Sequence, residues 1–220
     1  MKVAVVGATG FVGSQILKEL IDRNYEVKAF ARDMSKLPSM GKVEAVALDV
    51  NDIDNLSRNL SNVDVVVSAF NAGWTNPNIY DDYLKGAKAI ETAVEKAGVK
   101  RFIVIGGAGS LQATADLQIV DTADFPEAIK PGALAARDYL KVLKENTFLV
   151  WTFFSPAPEM HQGTSGVRKG SYRLGTDYPV TDEQGHSILS VEDVAVAIVD
   201  EIENAGINKT EILKYVKTDN

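Results

Sequence analysis

Three glycines, Gly7, Gly10 and Gly13, stand three residues apart directly after the first apolar run of the chain, in the stretch VVGATGFVG. Lys2–Val6 predicts a strand, and the apolar residues that follow the glycines recur every four positions, as in a helix. In this setting the first glycine permits a tight turn, the second lets a pyrophosphate approach, and the third lets the helix pack on the strand. The pattern favours a dinucleotide site over the alternative, a glycine-rich turn without a ligand.

A second candidate binding residue follows the next predicted strand. The run EVKAFA (26–31) ends at Arg32 and Asp33, with Lys36 one helical turn further on. Sites that prefer NAD carry an acidic residue at the end of this strand, and Asp33 comes one position late for that role. The planar guanidinium of Arg32 is suited to a 2′-phosphate and to stacking on adenine. We therefore expect NADP, with NAD as the alternative, and note that an exposed arginine after a strand is also common.

Composition limits the remaining chemistry. The formal net charge is −7, which argues against a surface for nucleic acid or anionic membranes. The chain has no Cys and two His, far apart in sequence, so we expect no metal site, disulfide or thiolate chemistry. No apolar run approaches the ~20 residues of a membrane helix, and the N-terminus lacks the layout of a signal peptide. We expect a cytoplasmic protein.

Strand and helix patterns alternate along the whole chain. Further strands are predicted at 43–48, 64–70, 101–105 and 149–154, and helices at 52–60, 80–97, about 132–144 and 191–203. This alternation is typical of an α/β, Rossmann-like doubly wound parallel sheet with helices on both faces. Two long segments, 106–131 and 155–182, follow core strands and are expected to wall a pocket. We expect one domain, 1–220, in which 155–220 contributes a small C-terminal cap on the substrate side.

Several of these stretches resemble a known superfamily. GATGFVG, DVVVSAF and WTFFSP are similar to motifs of the short-chain dehydrogenase/reductase superfamily, in its extended and atypical branches. GGAGSL, YRLGTD and ILSVEDVA narrow the resemblance to the NADH–flavin reductase branch, whose relatives are biliverdin-IX-beta reductase/flavin reductase and NmrA-like proteins. The resemblance covers essentially the whole chain.

The resemblance implies a set of cofactor-binding positions. Residues after the third strand would border adenine, those after the fourth would line the ribose and pyrophosphate, and those after the sixth would lie near the nicotinamide. With the glycine turn and Arg32, the expected set is Gly7, Thr9, Gly10, Phe11, Val12, Gly13, Arg32, Asp49, Val50, Ala69, Phe70, Asn71, Phe154, Ser155 and Pro156.

The usual catalytic pair of this superfamily is missing. Most of its reductases use a Tyr with a Lys four residues later, and no Tyr of this chain has that Lys. The usual positions fall near Lys130 and Leu134. Reduction of a carbonyl needs a positioned proton donor, whereas reduction of a flavin does not, because the charge delocalises and solvent completes protonation. The missing pair is equally compatible with no catalysis.

Four residues are candidates for the acceptor side. Ser110 matches the region of the active-site Ser of the superfamily, His161 could donate a proton or stack, and Tyr139 lies on the helix facing that region. Trp74 could cover a flat acceptor, so the expected substrate pocket is Trp74, Ser110 and His161. A structural role is the alternative for each.

These observations favour an NAD(P)H-dependent oxidoreductase that passes hydride to a flat conjugated acceptor, such as free flavin or a quinone. The first alternative is a non-catalytic, NmrA-like protein that senses the dinucleotide. A second, weaker alternative is an epimerase or dehydratase. The expected partner is a small-molecule acceptor, and either a monomer or a homodimer suits the chain.

Overall fold

The computed structural model describes residues 1–33, 35, 37, 42–204 and 211–216, the last range by its backbone alone. Its helices are α1 (Phe11–Asp22), α2 (Ile53–Leu60), α3 (Ile79–Lys96), α4 (Lys130–Lys144) and α5 (Val191–Glu203). Its strands are β1 (Lys2–Val6), β2 (Glu26–Ala31), β3 (Val43–Ala47), β4 (Val65–Ser68), β5 (Arg101–Ile105), β6 (Gln112–Thr114), β7 (Leu117–Gln118), β8 (Val150–Ser155), β9 (Arg173–Gly175) and β10 (Glu211–Val216).

In the described residues one sheet dominates the fold, with the order β3-β2-β1-β4-β5-β8-β10-β9. All its neighbouring strands pair in parallel except β9, which is antiparallel to β10. The chain leaves β1 toward β2 and β3 and then returns to β4 on the other side of β1. Ligands of open α/β sheets bind at such a reversal, outside the carboxyl ends of the strands. The predicted Rossmann-like fold class is confirmed.

Each face of the sheet is covered by helices. One core packs α2, α3 and α4 on the sheet, and the other packs α1 and α5. Because the central strands are covered on both faces, their sequences are almost continuously apolar. All four residues of β4 and all five of β5 are buried. This explains why DVVVSAF and RFIVI were recognisable as strands.

The C-terminal part of the chain joins the main sheet more extensively than the sequence indicated. No strand was predicted after α5, but β10 pairs with β8 in parallel and extends the sheet. The helix α5 packs along α1 on the sheet face. Segment 155–220 therefore supplies a strand and a covering helix as well as the loops beside β8.

The two long segments follow the carboxyl ends of β5 and β8 and contain short elements. Residues 106–129 form the small β6–β7 hairpin and two single 3-10 turns, Ala108–Ser110 and Ile119–Asp121, which pack on α4. Residues 156–190 contain the turn Gln162–Thr164 and the edge strand β9. None of the described helices is long and apolar enough to cross a membrane.

Candidate functional site

A cavity of about 370 Å³ opens at the reversal of strand order, at the carboxyl ends of β1, β2, β3 and β4. This volume lies within the ~300–1,000 Å³ range of small-molecule sites. Nine residues of the expected cofactor set line it together: Gly7, Thr9, Gly10, Arg32, Asp49, Val50, Ala69, Phe70 and Asn71.

The glycine turn is tightly packed. Gly7 has a φ of +81°, and a Cβ there would lie 2.6 Å from the carbonyl oxygen of Ala69, at the end of β4. A Cβ on Gly13 would lie 2.1 Å from the carbonyl oxygen of Gly7. No side chain other than hydrogen fits at either position without a backbone shift. The first and third glycines therefore let β1, β4 and α1 meet at one point.

The N-terminus of α1 faces this cavity without a capping side chain. Its N-cap is Gly10, and its first turn holds no acidic residue. The first N–H groups of a helix have no partner within the helix. Phe11, Val12 and Gly13 provide such N–H groups, although their side chains do not line the cavity. An anion such as a pyrophosphate fits this helix end, which carries a partial positive charge.

The ends of β2 and β3 form the outer wall of the cavity. Arg32 follows β2, is exposed, and makes no hydrogen bond or ion pair with the residues that the structure describes. Asp33 Oδ1 accepts hydrogen bonds from the backbone N–H and hydroxyl of Ser35. Lys36 lies outside the described residues. Asp49 Oδ1 accepts from the backbone N and Nδ2 of Asn51, and these bonds hold the pKa of the Asp49 carboxyl below its ordinary value.

Phe70 forms a rigid inner wall. Its ring stacks on Tyr83 at a centroid distance of 5.9 Å and an interplanar angle of 28°. A Cβ on Gly86 would lie 2.5 Å from two carbons of this ring, so the ring occupies the space that a side chain at Gly86 would take. The packing fixes the face that Phe70 presents to a ligand.

Sequence reasoning missed eight residues of the cavity. Five come from the strand ends and the segments after them, and their neighbours had been identified. The other three lie on the β4–α3 loop and on α3, where no sequence motif marked them. The available signal was that α3 starts just after a loop expected to bind the cofactor, so that its first turns lie near the ligand. The eight are Phe30, Ala31, Leu48, Asn51, Ala72, Asn76, Asp82 and Lys85.

On the acceptor side, Phe154, Ser155 and Pro156 are buried at the end of β8 and do not line this cavity. Ser155 and Ser110 are joined by a hydrogen bond of 2.9 Å between their Oγ atoms. Ser110 Oγ also donates to the carbonyl oxygen of Gly107 at 3.0 Å. A hydroxyl has one hydrogen, so Ser155 is the donor in the first bond and the hydrogen of Ser110 is already engaged.

Tyr139 requires a correction. It was expected to face the acceptor, but it is 1% exposed in the core between α3 and α4. Its hydroxyl donates to Glu91 Oε2 at 2.9 Å, and burial is the main cause that raises its pKa well above the ordinary value. A tyrosine on this face of α4 has no path to a bound ligand and is not a candidate proton donor.

His161 and Trp74 are both exposed on loops. His161 Nδ1 accepts a hydrogen bond from the backbone N of Gly163, so the neutral ring carries its hydrogen on Nε2. Trp74 is 58% exposed. Its ring lies over Gly132 in the first turn of α4, where a Cβ would be 2.7 Å from Trp74 Cζ3. Among the described residues there is no group of three or more His, Cys, Asp or Glu that could hold a metal ion.

Comparison with known proteins agrees with this geometry. The model of a family described as NAD(P)H-binding matches residues 7–205. This chain belongs to that NAD(P)H-binding family. The match begins at Gly7 of the glycine turn, directly after β1, and extends just past the end of α5. The resemblance to the atypical reductase branch is confirmed.

Individual relatives cover nearly all of the chain. The uncharacterized protein YwnB of Bacillus subtilis (strain 168) is 33% identical over 207 residues, which is 93% of each chain. A solved structure from Bacteroides thetaiotaomicron, named as a proposed epimerase, is 38% identical with a TM-score of 0.89 and covers 100% of this chain and 98% of that one. One from Streptococcus pneumoniae TIGR4, named as a proposed NADH-flavin reductase, is 33% identical with a TM-score of 0.84 and covers 99% and 100%.

Proposed function

We propose that this protein is an NADPH-dependent reductase that passes hydride to a flat, conjugated acceptor, such as a free flavin or a quinone. The observation that carries the proposal is the contrast at the strand ends. The glycine turn and Arg32 line one cavity, whereas the hydroxyl of Ser110, the candidate active-site Ser, is already bonded to Gly107. The streptococcal relative named as a proposed NADH-flavin reductase supports the same class of reaction.

The residues present fit a dinucleotide along its length. The uncapped N–H groups at the start of α1 suit the pyrophosphate. Asp49, Phe70 and Arg32 line the same cavity, where they would border the adenosine, and the guanidinium of Arg32 is suited to its 2′-phosphate. When bound, NADPH supplies a hydride from its nicotinamide C4. The contribution of the protein is to hold that carbon against the acceptor, and orientation can supply much of a rate enhancement.

The acceptor side favours reactions that need no proton from the protein. A ring such as isoalloxazine spreads the negative charge that arrives with hydride, and water then supplies the proton, so the products are reduced flavin and NADP⁺. The exposed face of Trp74, at the edge of the β4–α3 loop, is suited to stacking on such a ring. A carbonyl substrate would need an aligned donor, and Tyr139 is buried away from the site.

The competing function is dinucleotide sensing without turnover, which the engaged hydroxyls of Ser110 and Tyr139 also favour. Anaerobic NADPH oxidation with riboflavin, with menadione and without acceptor separates the two functions. A reductase oxidises NADPH only with acceptor and gives a primary isotope effect with NADPH deuterated at C4. Tight NADPH binding without NADPH oxidation in the presence of any acceptor would reject the reductase function and support dinucleotide sensing.

Nucleotide preference is tested by Arg32→Ala. Loss of a guanidinium that pairs with a phosphate should weaken NADPH binding about tenfold and leave NADH binding within about twofold. Arg58→Ala is the matched control, because Arg58 is an exposed arginine outside the cavity whose loss removes the same charge. Equal losses for both nucleotides in Arg32→Ala would refute the preference for NADP.

A further inference from the structure

The helix α3 presents a charged face to the dinucleotide cavity. Asp82 and Lys85, three residues apart and therefore on one face of the helix, both line the cavity. The backbone of α3 lies directly behind Phe70 at this turn, since the Phe70 ring fills the space over Gly86. Lys85 is thus carried on a rigid element that already forms part of the wall.

The carboxylates of the cavity are engaged, whereas its two cations are not. Asp82 Oδ2 accepts a hydrogen bond from Asn76 Nδ2 at 2.8 Å, and Asp49 accepts two from Asn51. Within the described part of the chain, neither Lys85 nor Arg32 makes a hydrogen bond or an ion pair. Two unpaired cations in the wall of one cavity suit an anionic ligand.

The two cations also share an electrostatic neighbourhood. Asp49 follows β3 and lines the same cavity as both cations. After the bonds from Asn51, the positive charges of Arg32 and Lys85 both contribute to the lowered pKa of the Asp49 carboxyl. Both charges therefore act on the adenosine end of the cavity.

We propose that Lys85 is a second specificity-determining residue, which acts with Arg32 on the 2′-phosphate of NADPH. This inference rests on the proposed preference for NADPH. A phosphate monoester carries close to two negative charges and three acceptor oxygens, so it can engage a planar guanidinium and an ammonium at once. NADH carries a hydroxyl at this position and gains nothing comparable from a second cation.

The test compares two fragments that differ only in this phosphate, 2′,5′-ADP and 5′-AMP, titrated into the full-length protein by calorimetry. Lys85→Gln should weaken 2′,5′-ADP binding about fivefold and change 5′-AMP binding by less than about twofold. Lys88→Gln is the control, because Lys88 lies one turn further along the same helix, is exposed, and does not line the cavity. The double variant Arg32→Ala/Lys85→Gln should bind both fragments about equally.

The outcomes separate this inference from the function on which it rests. If the wild-type protein binds neither NADPH nor NADH, the proposed function itself fails. If the wild-type protein prefers 2′,5′-ADP, and Arg32→Ala removes the preference while Lys85→Gln does not, the role of Lys85 alone is overturned. Equal weakening of both fragments in Lys85→Gln would assign the lysine to the shared adenosine and also overturn the proposal.

Discussion

The dinucleotide side and the acceptor side lie at the same edge of the sheet, but different kinds of structural element form them. The cavity is lined by short stretches at the ends of β1 to β4 and by one helix face, with a backbone packed so closely that Gly7 and Gly13 admit no side chain. The acceptor side is made by the long segments 106–129 and 156–190, in which the hydroxyl of Ser110 bonds to the Gly107 carbonyl and to Ser155. We propose that the first region is preorganised for one ligand class, whereas the second leaves room to vary.

This difference indicates which parts of the molecule determine substrate specificity. Strand ends and a helix N-terminus fix a phosphate-binding geometry with backbone groups, which sequence changes elsewhere hardly alter. Loops that follow core strands change shape with their side chains, so relatives with the same fold can accept different substrates.

The largest effect is expected at the glycine turn. Gly13→Ala places a Cβ against the Gly7 carbonyl and should cost about 3 kcal/mol of unfolding free energy and abolish NADPH binding. Gly107→Ala on the acceptor side is the control, since a Cβ there meets nothing within 4 Å. Urea denaturation and a NADPH titration measure both variants. Similar stabilities for the two variants would contradict the packing of this turn.

The second effect concerns the wall of the cavity. Gly86→Ala should push the Phe70 ring toward the ligand and raise the Kd for NADPH about tenfold, although alanine favours the helix. In Phe70→Leu, the same change at Gly86 should cost much less, because the ring that it displaces is gone. Additive losses in this double-mutant cycle would show that Gly86 does not act through Phe70.

A smaller effect is expected at Trp74. Trp74→Ala should raise the KM for a flavin acceptor about fivefold through loss of stacking, with the Kd for NADPH unchanged. Trp74→Phe should recover most of the loss. Steady-state kinetics with riboflavin measure the KM. Calorimetry measures the Kd for NADPH, because the substitution removes a fluorescence reporter. If only the affinity for NADPH changed, Trp74 would contribute to dinucleotide binding and not to acceptor binding.

Ser110→Ala tests whether the protein donates a proton. The account predicts a kcat for riboflavin within about threefold of the wild type and a stability loss of about 1 kcal/mol, since the bonds to Gly107 and Ser155 disappear. The pH profile of kcat should keep its shape. A fall of kcat by two or more orders of magnitude would make Ser110 the proton donor and favour carbonyl substrates.

The smallest effect is an acid dependence at the anchor of the acceptor-side loop. The Arg168 hydrogen bond is the main cause that holds the pKa of buried Glu19 below its ordinary value. The carboxylate therefore stabilises the folded state fully above the unfolded pKa of about 4.3, and this stabilisation is lost as pH falls through the folded pKa. Glu19→Gln should flatten the loss of stability on acidification in urea melts, whereas the exposed Asp116→Asn should not.

Much of the dinucleotide side could be predicted from the sequence, because the motifs that indicate it are local. The spacing of the glycines after β1 and the position of Arg32 after β2 are each recognisable within a few residues. The glycine turn and Arg32 both line the cavity. The place of Lys85 in the cavity wall could not be predicted from the sequence, because the rotation of α3 depends on the packing of Phe70 against Gly86. Tyr139 was misplaced, although its spacing from Ala135, Ala136 and Leu143 marked the buried face of α4. The strand β10 was missed because its six residues gave no clear alternation.

Whether the cavity binds a dinucleotide is decided by a titration of the wild-type protein with NADPH and, in parallel, with NADH. Trp74, exposed near the acceptor side, and buried Trp151 serve as fluorescence reporters, with calorimetry for stoichiometry. The account predicts one NADPH per chain, bound more tightly than NADH. Binding of neither nucleotide would leave the glycines with a structural role only and would contradict both the dinucleotide site and the reductase built on it.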